Sequence, residues 1–480
     1  ISLLLNFTSR AQQWEWAIQE NVKKITVDSS GNFFTQKDSS IKRFNSNGIP
    51  EWQKQFNGDL QIFGMAADNS GNLYFAGRFT DFSFANTHFT SSGGKDIFFC
   101  KIDSFGSFLW YKIMGGPNDE KVTDLYLTKK QKILLCGSVG PGATIGTTLF
   151  SDAQLFAAKY DANGNIELLF NHSGGESWEV SADTSGNIFL LGRTNINDTL
   201  DFGNGISLTG YDISDPFGSH FIAKFNAAGT VLWAKDLGSN YYQPFKHLAI
   251  DNIGNFYLAK WQRYAGFDLR KFGSSGNFIW NHSIAGVSGD CLGTCIDNAD
   301  SIWTTGYATN GPFNGQPYIW KFDAFNNLTG TTAATLSASG SNIANDNENN
   351  IYVSGTFNDT AVFGNTTLLS SSGNYFLAKM KRNSSQISSV KKNSEDSGSL
   401  IIFPNPTKGQ FTIQLSVALQ KKIKPRDMIY VYDQSGNCIL RQQFSDLAGA
   451  QIDISRMAKG IYLVEVEYEG GHMSKKIILD

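Results

Sequence analysis

The side chains with chemical potential are six histidines, five cysteines and a series of regularly placed aspartates. The histidines are His88, His172, His220, His247, His282 and His472, spread over segments that read as loops and strand starts. None belongs to an H-E-x-x-H pattern, and the chain has no G-x-S-x-G elbow and no phosphate-cradling glycine loop. The cysteines are Cys100, Cys136, Cys291, Cys295 and Cys438. On one extended strand Cys291 and Cys295 would stand about 13 Å apart, beyond disulfide reach. An odd count without C-x-x-C spacing supports neither a disulfide framework nor a zinc site. No catalytic residue, cofactor site or metal ligand is assigned on these grounds.

The aspartates open a repeated turn. It reads DSSGN from Asp28, DNSGN from Asp68, DTSGN from Asp183, DNIGN from Asp251 and DNENN from Asp346. A degenerate DNADS starts at Asp297, and TKKQK stands in its place from Thr128. Asp and Asn oxygens are hard ligands, so calcium is the metal to weigh. Each turn offers a single carboxylate, however, and turn formation explains both Asp and Gly without an ion. No cofactor is expected, with calcium the low-ranked alternative.

A short β-rich strand follows each turn, then a second apolar strand bearing a cation at a repeated position. These cations are Arg43, Lys101, Lys159, Lys224, Lys271, Lys321 and Lys379. A further strand is marked by Trp52, Trp110, Trp233 or Trp280. Four strands per unit make a propeller blade, which must stack on its neighbours to bury its faces. The cations are expected to lay their stems on apolar neighbours and keep their heads in water. The seventh unit ends after Lys379 without its Trp strand, while QWEWAIQ from Gln13 precedes the first turn. The N-terminal strand bearing Trp16 is therefore expected to complete the seventh blade and hide its edge.

These units resemble the repeats of secreted SBBP-type seven-bladed β-propellers over 12–381. The third and sixth units depart at their turns, so irregular loops are expected there. The fold class read from the sequence is all-β: a seven-bladed β-propeller followed by a small Ig-like β-sandwich.

Composition agrees with that class. Gly is high at 48 and Pro low at 10 in 480 residues, and charged residues make up 17%. The net charge of −3 comes without a basic stripe, which argues against a nucleic-acid partner. Residues 1–11, ISLLLNFTSRA, are too short an apolar run to span a bilayer. They read as a truncated signal-peptide remnant, and no transmembrane segment is found.

Residues 382–399, rich in Ser, Asn and Lys, read as a linker. From 400 to 480 the chain alternates short strands with turns. Pro404 and Pro406 place a kink at the end of the first strand. Gly409, Gly436 and Gly460 fall where turns are needed. These features resemble the type A C-terminal sorting domain of the type IX secretion system. The matching residues are Pro404, Asn405, Pro406, Gly409, Asp433, Gly436, Gly460, Ile461, Tyr462, Lys475, Lys476, Ile477 and Ile478. The resemblance implies export through the periplasm, with the secretion machinery and its tail-removing protease as partners. It also implies a secreted or cell-surface location and a cut in or near 382–399.

For the propeller, the absence of a catalytic constellation favours a non-catalytic binding or adhesion module for a glycan, an envelope component or a protein. Phe82, Phe84, Phe202, Tyr211 and Phe217 are expected as exposed loop aromatics that could stack on sugars. The alternative is a secreted polysaccharide-acting hydrolase or lyase with paired carboxylates at a propeller mouth.

Overall fold

A computed structural model describes residues 13–84, 86–210, 219–238, 245–262, 266–283, 289–298, 300–308, 317–322, 328–332, 338–369, 374–381, 400–415, 428–433, 438–443, 449–468 and 471–480. The chain divides into two compact units, 1–383 and 384–480.

The aspartate turns reverse the chain by filling their own carboxylates. Asp28 Oδ1 accepts the backbone N–H groups of Ser30 and Asn32, both at 2.9 Å, and Oδ2 accepts the Asn32 side-chain amide at 3.0 Å. Gly31 supplies the left-handed φ of 78° that the turn requires. Equivalent bonds form at Asp68, Asp183, Asp251 and Asp346. The third and sixth turns, expected to be irregular, keep the same geometry. Thr128 Oγ1 accepts the Lys132 N–H and Asp297 Oδ1 accepts the Ser301 N–H, each at 3.0 Å. Gln131 and Asp300 take the left-handed position, at φ 60° and 57°. The backbone hydrogen bonds set this turn, so a non-glycine is held there at a cost of about 1–2 kcal/mol.

Among the described residues the first unit forms seven sheets of four strands, one with a short fifth strand, Thr87–Thr90, and three small two-stranded hairpins beside them. We number them 1 to 7 from the first turn. Their innermost strands are Lys24–Val27, Asn57–Ala67, Lys121–Leu127, Gly175–Ala182, Phe245–Ile250, Gly289–Ile296 and Ala338–Asn345. Each touches the next in this order, and the last touches the first, closing a ring. Gln13–Ile18 forms the outermost strand of sheet 7, antiparallel to Tyr375–Lys381, with Trp16 opposite Lys379. The amino-terminal strand therefore joins the two ends of the ring, and it covers an edge that would otherwise be open.

The repeated cations are drawn in further than expected, although Arg43, Lys101, Lys159 and Lys321 keep partial solvent exposure. Lys224, Lys271 and Lys379 are buried. In six of the seven sheets the cation lies over an aromatic ring of the neighbouring strand: Arg43 over Phe34, Lys101 over Tyr74, Lys224 over Phe189, Lys271 over Tyr257, Lys321 over Trp303 and Lys379 over Tyr352, at 4.7–5.7 Å. Five of these cations also face the turn aspartate of their own sheet, most closely Lys101 to Asp68 at 3.0 Å. Such a site is desolvated, and the opposite charge and the ring face together replace the lost water. Sheet 3 is the exception that exposes the rule. Its turn begins with Thr128, its aromatic position is Leu134, and Lys159 turns to Glu167 at 3.8 Å.

The loop aromatics are likewise packed inward. Phe82, Phe84 and Phe202 are buried. Phe82 stacks on Phe89 with centroids 4.8 Å apart, Phe84 on Phe56 at 4.6 Å, and Phe202 lies parallel to Phe170 at 6.0 Å. Their apolar area is better spent sealing the outer sheets than facing solvent. Tyr211 and Phe217 lie outside the described residues, as do 1–11, 382–399 and Gly436.

The second unit packs a three-stranded sheet against a four-stranded one. Ile402, Phe411, Ile413 and Ile452 from the first meet Ile429, Val431, Val464 and Ile477 from the second in one core. Gly409 is required by its φ of 125° and by Ser455, whose Cα would stand 2.4 Å from an added Cβ. Among the described residues no helix is long and apolar enough to cross a membrane.

Candidate functional site

Six of the seven inner strands carry a β-bulge at the same place, and the residue after it opposes the fourth residue of the next strand. In sheets 2 to 7 these residues are Gly64, Asp124, Glu179, His247, Gly293 and Asn342. In sheet 1 the same register position is Lys24, opposite Gln36. Each stands four residues ahead of the first residue of its turn. A bulge re-aims a side chain out of the sheet plane, and here it places Asp124, Glu179 and His247 in one layer with Lys24, whose strand has no bulge.

Their electrostatics place them across the ring from one another. Lys24 interacts with both Asp124 and Glu179. Sheet 1 neighbours neither sheet 3 nor sheet 4 among the inner strands, so this attraction runs through the interior of the ring. Glu179 Oε1 lies 3.6 Å from His247 Nδ1. The acids also cap the exposed edges of neighbouring inner strands. Asp124 Oδ2 accepts the Val180 N–H at 3.1 Å, and Glu179 Oε2 accepts the Leu248 N–H at 2.6 Å. All four side chains retain some solvent contact.

Burial raises the Asp124 carboxyl to about 7, and the negative charge of Glu179 adds to the effect; the Val180 N–H and Lys24 oppose it. Burial also lowers the Lys24 ammonium, against the pull of Asp124 and Glu179. The layer thus joins a carboxyl that holds its proton near neutrality, a second carboxyl, an imidazole and an amine. Together they offer hydrogen-bond donors, acceptors and proton transfer within one site.

The bulge residues beside this layer include Phe63 and Trp178. The Arg78 guanidinium lies over Phe63 at 5.3 Å and that of Arg193 over Trp178 at 5.8 Å. At the opposite end, the turns bond to one another around the ring. Ser29 donates to the Asn69 carbonyl, Thr184 to the Asn252 carbonyl, and the Asn252 side chain to Asp300.

Of the histidines expected in loops and strand starts, His247 sits within an inner strand and joins this layer, while His220 is buried against Trp178. His88, His172 and His282 lie on other strands and take no part in it. Cys100, Cys136, Cys291 and Cys295 are free thiols. Among the described residues no three His, Cys, Asp or Glu side chains gather as a metal cluster. The layer escaped sequence reading because its residue types differ from unit to unit. Counting back four positions from each turn would have found it.

The sorting-tail residues come together in the second unit. The Leu400–Phe403 strand ends at Pro404. Asn405, between Pro404 and Pro406, donates to the Lys476 carbonyl at 2.8 Å and accepts the Ile478 N–H at 3.0 Å. Lys475 reaches the Leu400 carbonyl at 3.1 Å. Tyr462, at the start of the Gly460–Tyr468 strand, donates to the Ala458 carbonyl. Asp433 follows the Met428–Tyr432 strand.

Residues 401–480 match the family described as the secretion system C-terminal sorting domain. Over 170 residues the chain is 24% identical to an uncharacterized WD repeat-containing protein of Acanthamoeba polyphaga mimivirus; the match covers 31% of this chain and 12% of that protein. Among solved structures, a streptogramin B lyase is similar over 76% of this chain and 98% of its own, with 11% identity and a TM-score of 0.44. The Pan2 WD40 domain of Neurospora crassa is similar over 78% and 97%, with 8% identity and a TM-score of 0.44. BamB from Moraxella catarrhalis is similar over 77% and 100%, with 10% identity and a TM-score of 0.36. This chain is a β-propeller followed by a C-terminal sorting domain of the type IX secretion system, and it is a secreted or cell-surface protein.

Proposed function

We propose that the propeller, spanning 12–381, is an extracellular binding module of the SBBP type that receives its ligand in the ionisable layer of the ring. The sorting domain at 400–480 carries it out and is removed by the protease of the export system in or near 382–399. The observation that carries the binding reading is the convergence of Lys24, Asp124, Glu179 and His247 from four inner strands at one register position. A fold held only by its own packing has no need of four such groups in its interior, where each costs desolvation. The ligand class is a glycan or a polar segment of an envelope or surface protein, for which the layer offers both donors and acceptors. Glycan and peptide arrays probed with the full chain test this. Binding that is lost in the Glu179→Gln and Lys24→Met variants is expected; arrays blank for every class would overturn it.

A second reading, a secreted polysaccharide hydrolase or lyase, is favoured by the raised Asp124 carboxyl beside Glu179. An acid holding its proton next to a base is the arrangement such chemistry uses. Turnover of a polysaccharide by the full chain, abolished in Asp124→Asn, would select this reading over simple binding.

A further inference from the structure

Two acids outside the layer meet where sheets 2 and 3 join. Asp96 opens the Asp96–Ile102 strand of sheet 2, and Glu120 immediately precedes the inner strand of sheet 3. Both are fully buried, and their carboxyls are in hydrogen-bonding contact. Ionised carboxylates only accept, so that contact needs a proton on one of them. The other acceptors are filled from the backbone. Asp96 Oδ2 takes the Ser92 N–H at 2.8 Å, and Glu120 takes the Gly116 N–H at 3.1 Å and the Gly140 N–H at 3.4 Å. Asp96 Oδ1 is buried and takes no hydrogen bond from any of these groups. A proton on Glu120 fills it.

The charged groups around the pair are engaged elsewhere. Lys95 pairs with Asp59 at 2.9 Å, and its N–H is accepted by the exposed Asp119 at 2.8 Å. Lys121 lies opposite Ser138. Arg78, next to the Phe79 that pairs with Asp96, bonds Gln61 at 3.1 Å. Residues 139–143, on the sheet 3 side, carry no charge. Burial, with the Asp96 charge adding to it, raises the Glu120 carboxyl to about 7 against its two N–H donors. The proton also sets what the pair holds together. Asp96 is tied to the loop ahead of it. The Glu120 side chain is tied to Gly116 and Gly140, and these lead into the hairpin of Thr144–Ile145 and Thr148–Leu149. The Thr144 N–H bonds the Gly115 carbonyl at 3.0 Å. That hairpin walls an open groove of about 480 Å³, faced by Lys112, Met114, Ile166 and Leu169.

We propose that one proton shared by Asp96 and Glu120 latches residues 115–120 and 140–150 across the join of sheets 2 and 3, and that its loss above neutral pH frees the hairpin and opens the groove it walls. Two charges facing each other in a dry site cost more than their contact returns. The Glu120 main chain stays with sheet 2, because its N–H bonds the Lys95 carbonyl at 2.7 Å. What gives way is the Glu120 side chain, which turns from Asp96 toward water. Gly116 and Gly140 then lose the acceptor that held them. The join is tight enough to feel this, since a Cβ on Gly115 would stand 2.2 Å from Asp96 Oδ1.

Hydrogen exchange of the full chain, corrected for the intrinsic effect of pH on amide exchange, tests the latch. Peptides covering 115–120 and 140–150 should exchange about tenfold faster at pH 8 than at pH 6, as one unit beyond a carboxyl titrating near 7 implies. The peptide covering the first turn, 28–32, should not change. Glu120→Gln puts an amide N–H where the shared proton stood, so it should hold both segments at their pH 6 rate throughout. Asp96→Asn supplies the same donor from the other side and serves if Glu120→Gln does not fold. Rates that stay level between pH 6 and pH 8, an acceleration shared equally by the 28–32 peptide, or one that persists in the substituted chain would overturn the proposal.

Discussion

Trp16 and Lys379 stand opposite each other in sheet 7, and both donate to one acceptor, the Ser46 carbonyl of sheet 1, at 3.3 and 3.2 Å. Within the ring Trp233 and Lys224 of sheet 4 do the same to the Ser274 carbonyl of sheet 5, at 3.2 and 3.1 Å. Trp52 and Trp110 likewise donate to the Ser104 and Ala162 carbonyls of the following sheets. The joint that closes the ring is therefore built like the joints inside it, with its strand supplied from the other end of the unit.

Removing that joint should be costly. Trp16→Ala loses its stack on Phe33, with centroids 5.6 Å apart, and one of the two bonds to Ser46. A loss of about 3 kcal/mol is expected, comparable to Trp110→Ala. Leu232→Ala, at a residue 47% exposed, should cost under about 0.5 kcal/mol. Urea unfolding of the three variants provides the comparison.

The buried pairs should show coupling. Asp68→Asn or Lys101→Met alone leaves an unmatched charge in a desolvated site and should cost about 3 kcal/mol. The double variant should recover at least about 1 kcal/mol of the sum, measured as a double-mutant cycle. Lys159→Met, in the sheet whose turn begins with Thr128, should cost less than half as much.

Stability should fall as pH rises through neutrality. Burial raises to about 7 the carboxyl of Asp124 and that of Glu120, a fully buried acid just ahead of the inner strand of sheet 3 that accepts the Gly116 and Gly140 N–H groups. The fold therefore binds protons that the unfolded chain has released. That stabilisation is complete below about pH 4 and is lost as pH climbs through about 7. A decline on the order of 1–3 kcal/mol between pH 5 and pH 8 is expected, and Asp124→Asn should flatten part of it. Denaturation midpoints across that range measure it.

Export should depend on the fold of the tail. Gly409→Val places a β-branched residue at φ 125° against Ser455, which costs well over 1 kcal/mol. The variant should accumulate in the periplasm, as should a chain lacking 401–480, while the propeller keeps its unfolding midpoint. Cell fractionation with immunodetection reads the outcome.

Much of the fold was legible because the repeat writes its turns in fixed residue types. Asp28, Gly31 and Asn32 announce a turn by chemistry that needs no partner elsewhere, and Trp16 announced the closing strand by likeness to Trp233. The partnership of turn aspartate, ring and cation was less visible, since Asp68, Tyr74 and Lys101 meet only through folding. Its trace in sequence was the joint change at Thr128 and Leu134. The same turn also recurs between the last two strands of a sheet, at Asn45, Asp103, Asp161 and Asn226, where varied residue types hid it. The ionisable layer was least legible. A bulge shifts its register, and Lys24, Asp124, Glu179 and His247 share position without sharing type. The burial of Phe82 and Phe84 was missed because loop sequence does not reveal which face a hairpin folds onto.

Everything functional here depends on the ring being closed by its amino-terminal strand, which brings the inner strands into one circle. Ala17 and Ala378 are directly opposite in that pairing, a separation of about 4.5–5.5 Å between Cα atoms that a disulfide spans. Mass spectrometry of the oxidised Ala17→Cys, Ala378→Cys double variant should recover the two peptides linked within a single chain, with a raised unfolding midpoint. Thiols that stay reduced, or links found only between chains, would contradict the closed ring.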